Sequence, residues 1–270
     1  MSILITGGTG SFGRAFAESA LRYYERVCIY SRGELAQAKM RAEFENDGRL
    51  RWFIGDVRDR DRLNWAMRDC EVVVHAAALK RIEVGAYNPE EMVKTNVLGS
   101  MNVVACARET GVKKAVLLST DKAWQPVSPY GYSKAMAESV FLSEVRTPTR
   151  FAVTRYGNVW GSNGSVSQRW QQPNPTLTDP ECTRFYMTLA QAVSLVWQTI
   201  ENMEGGELVI PHDMPAYRMG DLAEAMGIEP EIVGLPPYEK LHEGLMDGLT
   251  SDKARRMTVE ELRGLLERVP

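Results

Sequence analysis

The sequence predicts an α/β protein built on a doubly wound parallel sheet, with a smaller α/β part toward its carboxyl end. Three observations support this fold class. Short apolar runs alternate with amphipathic segments through residues 1–160, a rhythm typical of strands and helices that follow one another along a parallel sheet. The apolar runs are continuous, as in strands that are buried on both faces. After residue 160 the rhythm becomes irregular, so residues 161–270 are expected to form a smaller, interleaved region that binds the substrate beside a cleft.

Each element of the first region follows from hydrophobic periodicity. The apolar and β-branched runs predict strands over residues 3–6, 26–30, 51–54, 71–75, 114–119 and 151–154. The segments between these runs are amphipathic, which is typical of helices that cover a sheet. They predict helices over residues 11–23, 34–45, 60–68, 89–110 and 130–145.

The second region has fewer clear elements. Residues 161–182 contain three prolines and many polar residues, so little regular structure is expected there. The pattern then predicts helices over residues 188–202, 220–226 and 258–268, and strands over residues 207–210 and 231–233. The last helix has a recognisable start, because Thr258-Val259-Glu260-Glu261 resembles a capping box.

The composition excludes several classes of protein. The 270 residues are 44% hydrophobic and 25% charged, an ordinary globular mixture. A formal charge of −3 argues against a general nucleic-acid or anionic-membrane binder. No stretch approaches the roughly 20 apolar residues of a membrane span, and the start of the chain shows no basic segment or cleavage site, so a cytoplasmic location is expected. The four cysteines are widely spaced, so reduced thiols and no metal site are expected.

A glycine-rich turn separates the first strand from the first helix. Gly7, Gly10 and Gly13 form the pattern G-x-x-G-x-x-G. Small residues let a backbone approach a pyrophosphate closely, and the helix start beyond them offers N–H groups and a positive dipole. In this context the pattern predicts a dinucleotide-binding turn of the Rossmann type rather than a plain strand–helix connection. The residues expected to contact the dinucleotide here are Gly7, Thr9, Gly10, Ser11, Phe12 and Gly13.

The ends of the next strands bear on the choice of dinucleotide. A site that prefers NAD usually has an acidic residue at the end of the second strand, where it binds the ribose 2′-hydroxyl. Ser31 and Arg32 stand there instead, and a hydroxyl beside a guanidinium suits a 2′-phosphate. The sequence therefore favours NADP over NAD. Further cofactor contacts are expected at the ends of the third and fourth strands, from Asp56, Val57, Ala76, Ala77 and Ala78.

Two groups of side chains predict catalytic chemistry. Tyr130 and Lys134 form Y-x-x-x-K at a predicted helix start, where four residues make about one turn and place both on one face. A nearby ammonium lowers the pKa of a phenol, and an ionised tyrosine can remove an alcohol proton while hydride leaves the carbon. Thr120, Asp121 and Lys122 follow the fifth strand. The hydroxyl suits a reacting hydroxyl group, and the acid and amine form either an acid/base pair or a surface ion pair on a solvated loop.

Several stretches of the chain carry a resemblance to a known family. They lie within roughly residues 1–245 and comprise residues 5–13, 29–32, 53–59, 75–80, 94–96, 119–123, 154–159, 183–185 and 239–243. By these stretches the chain resembles the extended short-chain dehydrogenase/reductases that act on nucleotide sugars. It is most similar to the inverting UDP-N-acetylglucosamine 4,6-dehydratases of polysaccharide and flagellin-sugar biosynthesis. The Asp121–Lys122 pair is the most specific element, because ordinary 4-epimerases lack it.

The resemblance implies a redox-neutral dehydration of UDP-N-acetylglucosamine with NADP as cofactor. Tyr130, supported by Lys134, would take the C4 hydroxyl proton as the C4 hydride leaves, and Thr120 would orient that hydroxyl. Lys122 would remove the C5 proton, and Asp121 would protonate the departing C6 hydroxyl. Hydride would return to C6, and C5 would be reprotonated from the opposite face. The alternatives are a nucleotide-sugar 4-epimerase or reductase, and a catalytically inactive, cofactor-binding regulatory protein.

The resemblance also implies contacts outside these two groups. Lys80 and Asn96 would approach the cofactor, and the substrate would meet Lys80, Asn158, Arg184 and Glu243. Family members self-associate, so a homo-oligomer, a dimer or larger, is expected. Neither a nucleic acid nor a membrane is an expected partner.

The chain departs from the family pattern in places that concern the substrate. The family usually has an arginine before a late Pro-Gly-Glu-Lys sequence, where it helps to bind the substrate diphosphate; Pro236 stands there in this chain. The segment between Gly164 and Thr183 is several residues shorter than in the family, and the chain ends earlier. Arg184 or Arg169 is expected to replace the missing charge. The fold and cofactor are therefore predicted more firmly than the substrate.

Overall fold

The structure is a computed structural model that describes residues 1–162 and 164–267, without the side chain of Ser167. Its strands are, in chain order, β1 (Ser2–Thr6), β2 (Arg26–Ser31), β3 (Leu50–Ile54), β4 (Val72–His75), β5 (Lys114–Thr120), β6 (Arg150–Tyr156), β7 (Asn158–Val159), β8 (Thr176–Leu177), β9 (Thr183–Met187), β10 (Glu207–Val209), β11 (Ala216–Arg218), β12 (Glu231–Ile232), β13 (Gly244–Met246) and β14 (Leu249–Thr250). Its α-helices are α1 (Ser11–Ala20), α2 (Glu34–Glu43), α3 (Arg60–Met67), α4 (Ile82–Tyr87), α5 (Pro89–Met92), α6 (Gly99–Glu109), α7 (Pro129–Leu142), α8 (Val166–Arg169), α9 (Leu189–Asn202), α10 (Met219–Met226) and α11 (Val259–Leu266).

A sheet of seven parallel strands forms the centre of the molecule, in the order β3-β2-β1-β4-β5-β6-β10. Successive residues of a strand point to opposite faces. Ile3 and Ile5 of β1 therefore join the core on one face, whereas Leu4 joins the core on the other. Because both faces are covered, the strands are continuous apolar runs, and the predicted α/β class with a doubly wound sheet is confirmed.

Helices cover both faces of this sheet. One core includes Phe16 of α1, Met40 of α2 and Val196 of α9. The opposite core includes Leu63 of α3, Val103 of α6 and Phe141 of α7. The strand order reverses between β1 and β4, so the carboxyl ends of these two strands open onto a crevice where ligands bind in such folds.

Part of the second region returns to this sheet. β10 pairs with β6 in parallel, and α9 packs against α1, where the rings of Trp197 and Phe16 stack at 4.7 Å between centroids. The remaining strands form small sheets of their own, in the orders β11-β9-β7, β12-β8 and β13-β14. A separate core that includes Tyr217 and Leu262 lies beneath them. The two regions are thus interleaved along the chain.

Several elements differ from their predicted form. The helix expected over residues 89–110 is interrupted by a π-helical segment, Val93–Leu98, which has Thr95 and Asn96 buried. The sequence pattern misses α4, which has a glycine inside it and no side-chain cap, and it misses β9, whose polar Thr183 and Arg184 are buried by tertiary contacts. The capping box of α11 is present between Thr258 and Glu261. The predicted end of that helix, residue 268, lies outside the described residues.

Membrane helices, metal sites and disulfides each have a recognisable structural form. Among the described residues, no helix combines the length and the apolar character that a membrane crossing requires. Within residues 1–162 and 164–267, no three His, Cys, Asp or Glu side chains are grouped so that they could hold a metal ion. The four cysteines are buried free thiols, and the Sγ atoms of Cys28 and Cys70 lie 3.9 Å apart.

Candidate active site

A cavity of about 850 Å³ opens at the carboxyl ends of the central strands. Its floor consists of residues that follow β1, β2, β4 and β5, and its outer wall comes from the second region. The cavity brings together most of the residues predicted for the site, namely Gly7, Thr9, Gly10, Ser11, Phe12, Gly13, Ser31, Arg32, Asp56, Val57, Ala76, Ala77, Ala78, Lys80, Thr120, Lys122, Tyr130, Lys134, Asn158, Arg169 and Arg184. Asn96, Asp121 and Glu243 do not line it.

The glycine-rich turn is built by close backbone contacts. Gly7 has a φ of +65°, and a Cβ atom there would lie 2.8 Å from the backbone of Ala77. A Cβ atom at Gly13 would lie 2.6 Å from the Cα atom of Gly8. Only glycine fits either position, because a contact below 3.0 Å with backbone requires the chain to shift.

This turn presents the start of α1 to the cavity. The N-cap residue of α1 is Gly10, which has no side chain to cap the helix, and the first turn contains no acidic residue. The N–H groups and the positive dipole of a helix start favour an anion. The turn therefore fits the pyrophosphate of a dinucleotide.

The far end of the cavity combines cationic and anionic groups. Arg32 lies there with its side chain 57% exposed, and its Nη1 atom is 3.8 Å from Oδ2 of Asp56. Burial opposes ionisation of Asp56, but Arg58 donates to both of its carboxylate oxygens and, with Arg32, holds the pKa of Asp56 below its ordinary value. The Ser31 hydroxyl accepts a hydrogen bond from Gln37 at 3.0 Å. This end therefore offers an arginine and a hydroxyl, beside a carboxylate that Arg58 largely neutralises.

Asn96 supports the cavity from behind. Its amide donates to the Leu79 carbonyl and to the Ser133 hydroxyl, each at 2.9 Å, and its Oδ1 atom accepts from the Leu79 N–H at 2.9 Å. The side chain is buried and its polar atoms bond to the protein. The structure thus places Asn96 between the loop after β4 and helix α7 instead of at the cofactor contact expected from the sequence.

Lys122 is surrounded by three oxygen acceptors. Residues 121–123 form a single 3₁₀ turn after β5, and the Nζ atom of Lys122 lies 3.1 Å from Oδ1 of Asp121. It also lies 3.2 Å from Oδ1 of Asn158 and 3.2 Å from Oε1 of Glu243. The alternative of a surface ion pair on a solvated loop is wrong, because Asp121 is fully buried and the Lys122 side chain is only 14% exposed.

The charges around Lys122 shift one another's protonation. Burial would lower the pKa of Lys122, but Asp121 and Glu243 hold it above its ordinary value. Burial raises the pKa of Asp121, and the like charge of Glu243 adds to this, although Lys122 opposes both. Burial would also raise the pKa of Glu243, but Lys122, Arg184 and Lys240 lower it. Glu243 is therefore the more firmly ionised carboxylate.

Asp121 lies just behind the cavity wall. Its Oδ1 atom accepts from the Thr120 hydroxyl at 2.9 Å, and Thr120 lines the cavity. Its buried Oδ2 atom has no hydrogen-bond partner among the described residues. A Cβ atom at Gly157, which also lines the cavity, would lie 3.3 Å from that oxygen. Because Gly157 has no side chain, the free oxygen of Asp121 lies close beneath the cavity wall.

Tyr130 and Lys134 lie on the first turns of α7. Ser128 caps this helix by accepting from the Gly131 N–H at 3.0 Å, and Pro129 occupies its first position. Burial raises the pKa of Tyr130 to about 12, although Lys122 and a hydrogen bond with Thr120 oppose this. Both side chains line the cavity, as the Y-x-x-x-K spacing predicts.

A backbone carbonyl holds the Lys134 ammonium in this arrangement, so its expected effect on Tyr130 stays a prediction. The Lys134 ammonium donates to the Leu118 carbonyl at 2.6 Å. Burial lowers the pKa of Lys134 to about 8, partly offset by Glu138. Lys122 is a cation whose charge lowers the pKa of Tyr130 and so favours the phenolate. A four-residue spacing identifies a shared helix face, but it does not show where a flexible ammonium points.

The two arginines expected to replace the missing diphosphate charge are held differently. Arg184 is buried; its Nη1 atom donates to the Thr183 carbonyl at 2.8 Å, and its Nη2 atom lies 2.5 Å from Oε1 of Glu239. Arg169 is 59% exposed, with Glu83 at 3.9 Å. Arg184 is therefore a fixed part of the wall, whereas Arg169 is free to turn toward a ligand.

Glu243 is held behind Lys122 by contacts from distant segments. Its Oε2 atom lies 2.9 Å from Nζ of Lys240, and its backbone N–H donates to the Ser251 hydroxyl at 2.9 Å. Its side chain is only 2% exposed. The substrate contact expected for Glu243 is replaced by a contact with Lys122, because the carboxylate lies under the cavity wall.

Some residues that line or support the site were not identified from the sequence. Tyr156 and Gly157 lie in one of the family-like stretches and Lys240 in another, so the resemblance could have indicated these residues. Arg81 and Tyr217 line the cavity without any sequence signal that distinguishes them from ordinary polar residues. Tyr217 reaches the site only because β11 pairs with β9.

Comparisons with known proteins agree with this geometry. A family described as "Polysaccharide biosynthesis protein" matches residues 3–262. The chain is 44% identical over 256 residues to a UDP-N-acetylglucosamine 4,6-dehydratase (inverting) of Campylobacter jejuni, covering 90% of this chain and 76% of the relative. It is 37% identical over 273 residues to a UDP-glucose 4-epimerase of Rickettsia bellii, covering 94% and 80%.

Solved structures share the same fold. An X-ray structure of Pen from Bacillus thuringiensis is 32% identical with a TM-score of 0.93, covering 98% of this chain and 97% of that one. A dTDP-glucose 4,6-dehydratase from Streptomyces venezuelae, with NAD bound, has a TM-score of 0.83 at 22% identity, covering 99% and 96%. The cavity, the glycine-rich turn, the Tyr130–Lys134 pair and these relatives lead to one conclusion: the chain is an enzyme of the polysaccharide biosynthesis family of extended short-chain dehydrogenase/reductases, the family that its sequence resembles.

Proposed function

We propose that this enzyme is an NADP-dependent nucleotide-sugar 4,6-dehydratase that converts UDP-N-acetylglucosamine to a UDP-4-keto-6-deoxy sugar with inversion at C5. The observation that carries the proposal is the buried Asp121–Lys122 pair beside Tyr130. Placing two charges in a protein interior is unfavourable unless they are well paired, so such a pair in a cavity wall suggests chemical use. Oxidation at C4 alone requires no acid and amine of this kind.

The cofactor would lie along the glycine-rich turn. The uncapped start of α1 suits the pyrophosphate, and the small residues Ala76, Ala77 and Ala78 leave room beside the ribose and nicotinamide. NADP is proposed over NAD because Ser31 and Arg32 occupy the end of β2, where NAD sites usually have a carboxylate. A bound nicotinamide would supply reversible hydride transfer, accepting hydride from C4 and returning it at C6.

Tyr130 is the proposed base for the C4 hydroxyl. A hydrogen bond with Thr120 and the positive charge of Lys122 both lower the pKa of its phenol, whereas burial raises it. Thr120 would orient the C4 hydroxyl toward Tyr130, since both line the cavity. Lys134, at the next turn of α7, would hold the cofactor ribose against the wall.

Lys122 and Asp121 are the proposed pair for removal of water. The 4-ketone would acidify the C5 proton. Transfer of the Lys122 ammonium proton to Asp121, 3.1 Å away, would give the neutral amine that takes the C5 proton and the protonated acid that the C6 oxygen needs. Asp121 would pass a proton to the C6 oxygen as the C6–O bond breaks. The proton would move through the Thr120 hydroxyl or directly past Gly157, where a Cβ atom would lie 3.3 Å from Oδ2 of Asp121. Water leaves, and the electrons of the C5–H bond form the C5–C6 double bond that later accepts hydride at C6.

The outer wall is the proposed site for the nucleoside diphosphate. Arg169 and Arg184 belong to this wall, and Lys80 and Arg81, from the loop after β4, line the same cavity. Arg169 is proposed as the main diphosphate contact in place of the arginine missing at position 236, because Glu239 already engages Arg184 at 2.5 Å. Asn158, which lines the cavity beside Lys122, would contact the sugar.

We also propose that the enzyme acts as a homo-oligomer in the cytoplasm. Large apolar side chains lie exposed on helices α4, α6 and α7 and between them, namely Val84, Tyr87, Val93, Leu98, Met101, Tyr132 and Met136. Exposed apolar patches of this kind often mark protein–protein contacts. Sedimentation of the purified protein tests this: a dimer or larger species is expected, and a monomer at all concentrations would contradict it.

A 4-epimerase is the second candidate. It needs Tyr130 and the cofactor half of the cavity, which are both present, and a Rickettsia bellii relative carries the name UDP-glucose 4-epimerase. An epimerase would leave the C5 proton and the C6 hydroxyl in place. The two candidates therefore differ in the mass of the product.

Incubation of the protein with UDP-N-acetylglucosamine and NADP in heavy water tests the proposal. Mass spectrometry and proton NMR should show the loss of one water, a new C6 methyl signal and deuterium at C5. Tyr130→Phe should abolish the reaction. Lys113→Gln should not, because Lys113 precedes β5 and so lies at the amino ends of the strands, away from the cavity. A product of unchanged mass with the C4 configuration inverted would replace the dehydratase with the epimerase.

A further inference from the structure

We propose that Glu243 is a positioning residue for Lys122: it fixes the direction of the Lys122 amine and stabilises the ammonium that forms when the amine takes the C5 proton. The inference rests on the proposed dehydratase function and adds a residue that acts through Lys122 without touching the substrate. It starts from the position of a buried carboxylate that the cavity does not expose.

The geometry around Lys122 is complete without solvent. An ammonium has three N–H donors, and three oxygens lie within reach, from Asp121 at 3.1 Å and from Asn158 and Glu243 at 3.2 Å each. Asp121 shares the turn with Lys122, and Asn158 lies on β7, so Glu243 is the contact from the far end of the chain. The neutral amine has two N–H donors and a lone pair, so two of these oxygens can fix its direction while the lone pair accepts the C5 proton. Without Glu243 only the acceptors on the turn and on β7 remain.

Glu243 is itself fixed on two sides. Its Oε2 atom pairs with Lys240 at 2.9 Å, and Lys240 donates to the Trp124 carbonyl at 2.8 Å. The strand β13 that follows Glu243 is anchored by Arg155, which donates to the Leu245 carbonyl at 2.6 Å. A carboxylate held in this way can orient a flexible lysine, because it does not move with the lysine.

The charge of Glu243 matters as well as its position. The charged groups that face Lys122 are Asp121 on its own turn, Glu243 before β13 and Arg184 on β9; Tyr130 on α7 is the titratable neighbour. If Asp121 carries the proton that goes to the C6 oxygen, it is neutral when Lys122 becomes charged. Glu243 is then the anion that remains beside the new ammonium, and loss of its charge would make Lys122 a weaker base.

The proton inventory of this step balances. The Lys122 amine gains the C5 proton and becomes an ammonium, and Asp121 loses its proton to the C6 oxygen, which departs as water. The C5–H electron pair becomes the second C5–C6 bond. Glu243 is ionised before and after the step. Its main effect is therefore on the C5 step. At Tyr130 the Glu243 charge raises the pKa, so its loss should not slow hydride transfer from C4.

The test separates these two steps with the enzyme loaded with NADP. UDP-N-acetylglucosamine is added in a single turnover in heavy water; cofactor reduction is followed by absorbance, and deuterium at C5 by mass spectrometry. Glu243→Gln should reduce cofactor at close to the wild-type rate, but the plateau rate of deuterium incorporation reached at high pH should be about 10–10²-fold lower, as expected when a catalytic group is misplaced. Glu243→Asp, which keeps the charge, should recover part of the loss.

The pH dependence distinguishes positioning from a general structural role. Lys122 takes a proton only when neutral, so the C5 exchange rate rises with pH through its pKa. Removing the anion lowers that pKa, so the rise should move to lower pH in Glu243→Gln, with a lower plateau. A variant that merely loosens the fold would lose rate without this movement. Glu71→Gln, which breaks an ion pair with Lys113 outside the cavity, serves as the matched control.

The possible failures are distinguishable. If the wild type shows no C5 deuterium, the dehydratase proposal fails and this inference fails with it. If the wild type exchanges C5 and Glu243→Gln does so at the same rate and pH, only the inference is overturned. If Glu243→Gln does not fold, as loss of cofactor reduction would reveal, the ratio of exchange to reduction in Glu243→Asp decides: an unchanged ratio overturns the inference, and a lowered one supports it.

Discussion

The two halves of the cavity are built by different means. The cofactor half consists of backbone and small side chains, and its fit depends on contacts such as the 2.6 Å that would separate a Cβ atom at Gly13 from Gly8. The catalytic and substrate half consists of buried charges, with Lys122 between Asp121 and Glu243. The cofactor half thus depends on the small size of its residues, and the catalytic half depends on the pairing of buried charges.

The halves also differ in how far apart their residues lie in the sequence. The glycine-rich turn is one contiguous stretch between β1 and α1. The charged half joins β5, β7, β9 and the segment before β13. A local motif can thus specify the cofactor half alone, whereas the charged half exists only after the second region has docked. We expect variants in each half to leave the other half working.

The largest effect is expected from Lys122→Met. Loss of the amine removes the proposed C5 base, and general acid–base groups contribute about 10²–10⁴-fold to rate. Turnover measured by mass spectrometry should therefore decrease by about 10²–10⁴-fold. The dissociation constant for NADP, measured by fluorescence, should stay within about twofold, because the substitution removes a catalytic group and not a cofactor contact. A comparable loss of NADP affinity would show that the two halves are coupled.

Gly13→Ala should break the cofactor half and spare the charged half. The new Cβ atom would lie 2.6 Å from the Gly8 Cα atom, so the turn must shift. Overpacking of this kind costs about 1–3 kcal/mol in the free energy of unfolding, and NADP affinity should fall with it. Denaturant unfolding and NADP titration measure the two effects. Gly48→Ala is the matched control, because no atom lies within 4 Å of its Cβ position. Equal effects at both glycines would contradict the account.

Arg32→Ser tests the choice of dinucleotide. A charge-assisted hydrogen bond contributes about 1.5–3 kcal/mol, and the exposure of Arg32 reduces this, so NADP affinity should weaken about tenfold. NAD affinity should stay unchanged, because NAD has no 2′-phosphate. Parallel titrations with both dinucleotides provide the measurement. An equal loss for NAD and NADP would remove the basis for proposing NADP.

The smallest effect is expected from Arg169→Gln. Arg169 is half-exposed and only loosely paired with Glu83, so loss of a diphosphate contact should raise KM about 3–10-fold with kcat unchanged. Arg263→Gln is a close control, because Arg263 is similarly exposed and lies 3.8 Å from Glu224. Steady-state kinetics of both variants decide the point. An unaltered KM in Arg169→Gln would leave Arg184 as the diphosphate contact.

The sequence predicts the cofactor half of the cavity better than the charged half. The strands of the parallel sheet, the turn at Gly7 to Gly13 and the shared face of Tyr130 and Lys134 all follow from short patterns, and the structure contains them. The order of the strands in the sheet does not follow from such patterns. The direction of the Lys134 ammonium could not be predicted, because it depends on the position of the Leu118 carbonyl, 2.6 Å away. A spacing rule locates a side chain on a helix but not its hydrogen-bond partner.

A role that depends on packing against distant segments cannot be predicted from a local pattern. Asn96 stood in a family-like stretch, but a buried π-helical segment turns its amide toward Leu79 and Ser133. Glu243 stood in another such stretch, but docking of the second region buries it under the cavity wall. The resemblance indicated that both matter, and only the packing showed what each one touches.

The central claim is that one cavity both oxidises C4 and removes water across C5 and C6. UDP-N-acetylglucosamine labelled with deuterium at C4, incubated with the enzyme and NADP in ordinary water, tests this most directly. The account predicts a product that has lost one water and carries the deuterium in its C6 methyl group. Deuterium found again at C4, in a product that has kept its C6 hydroxyl, would contradict the claim and identify an epimerase.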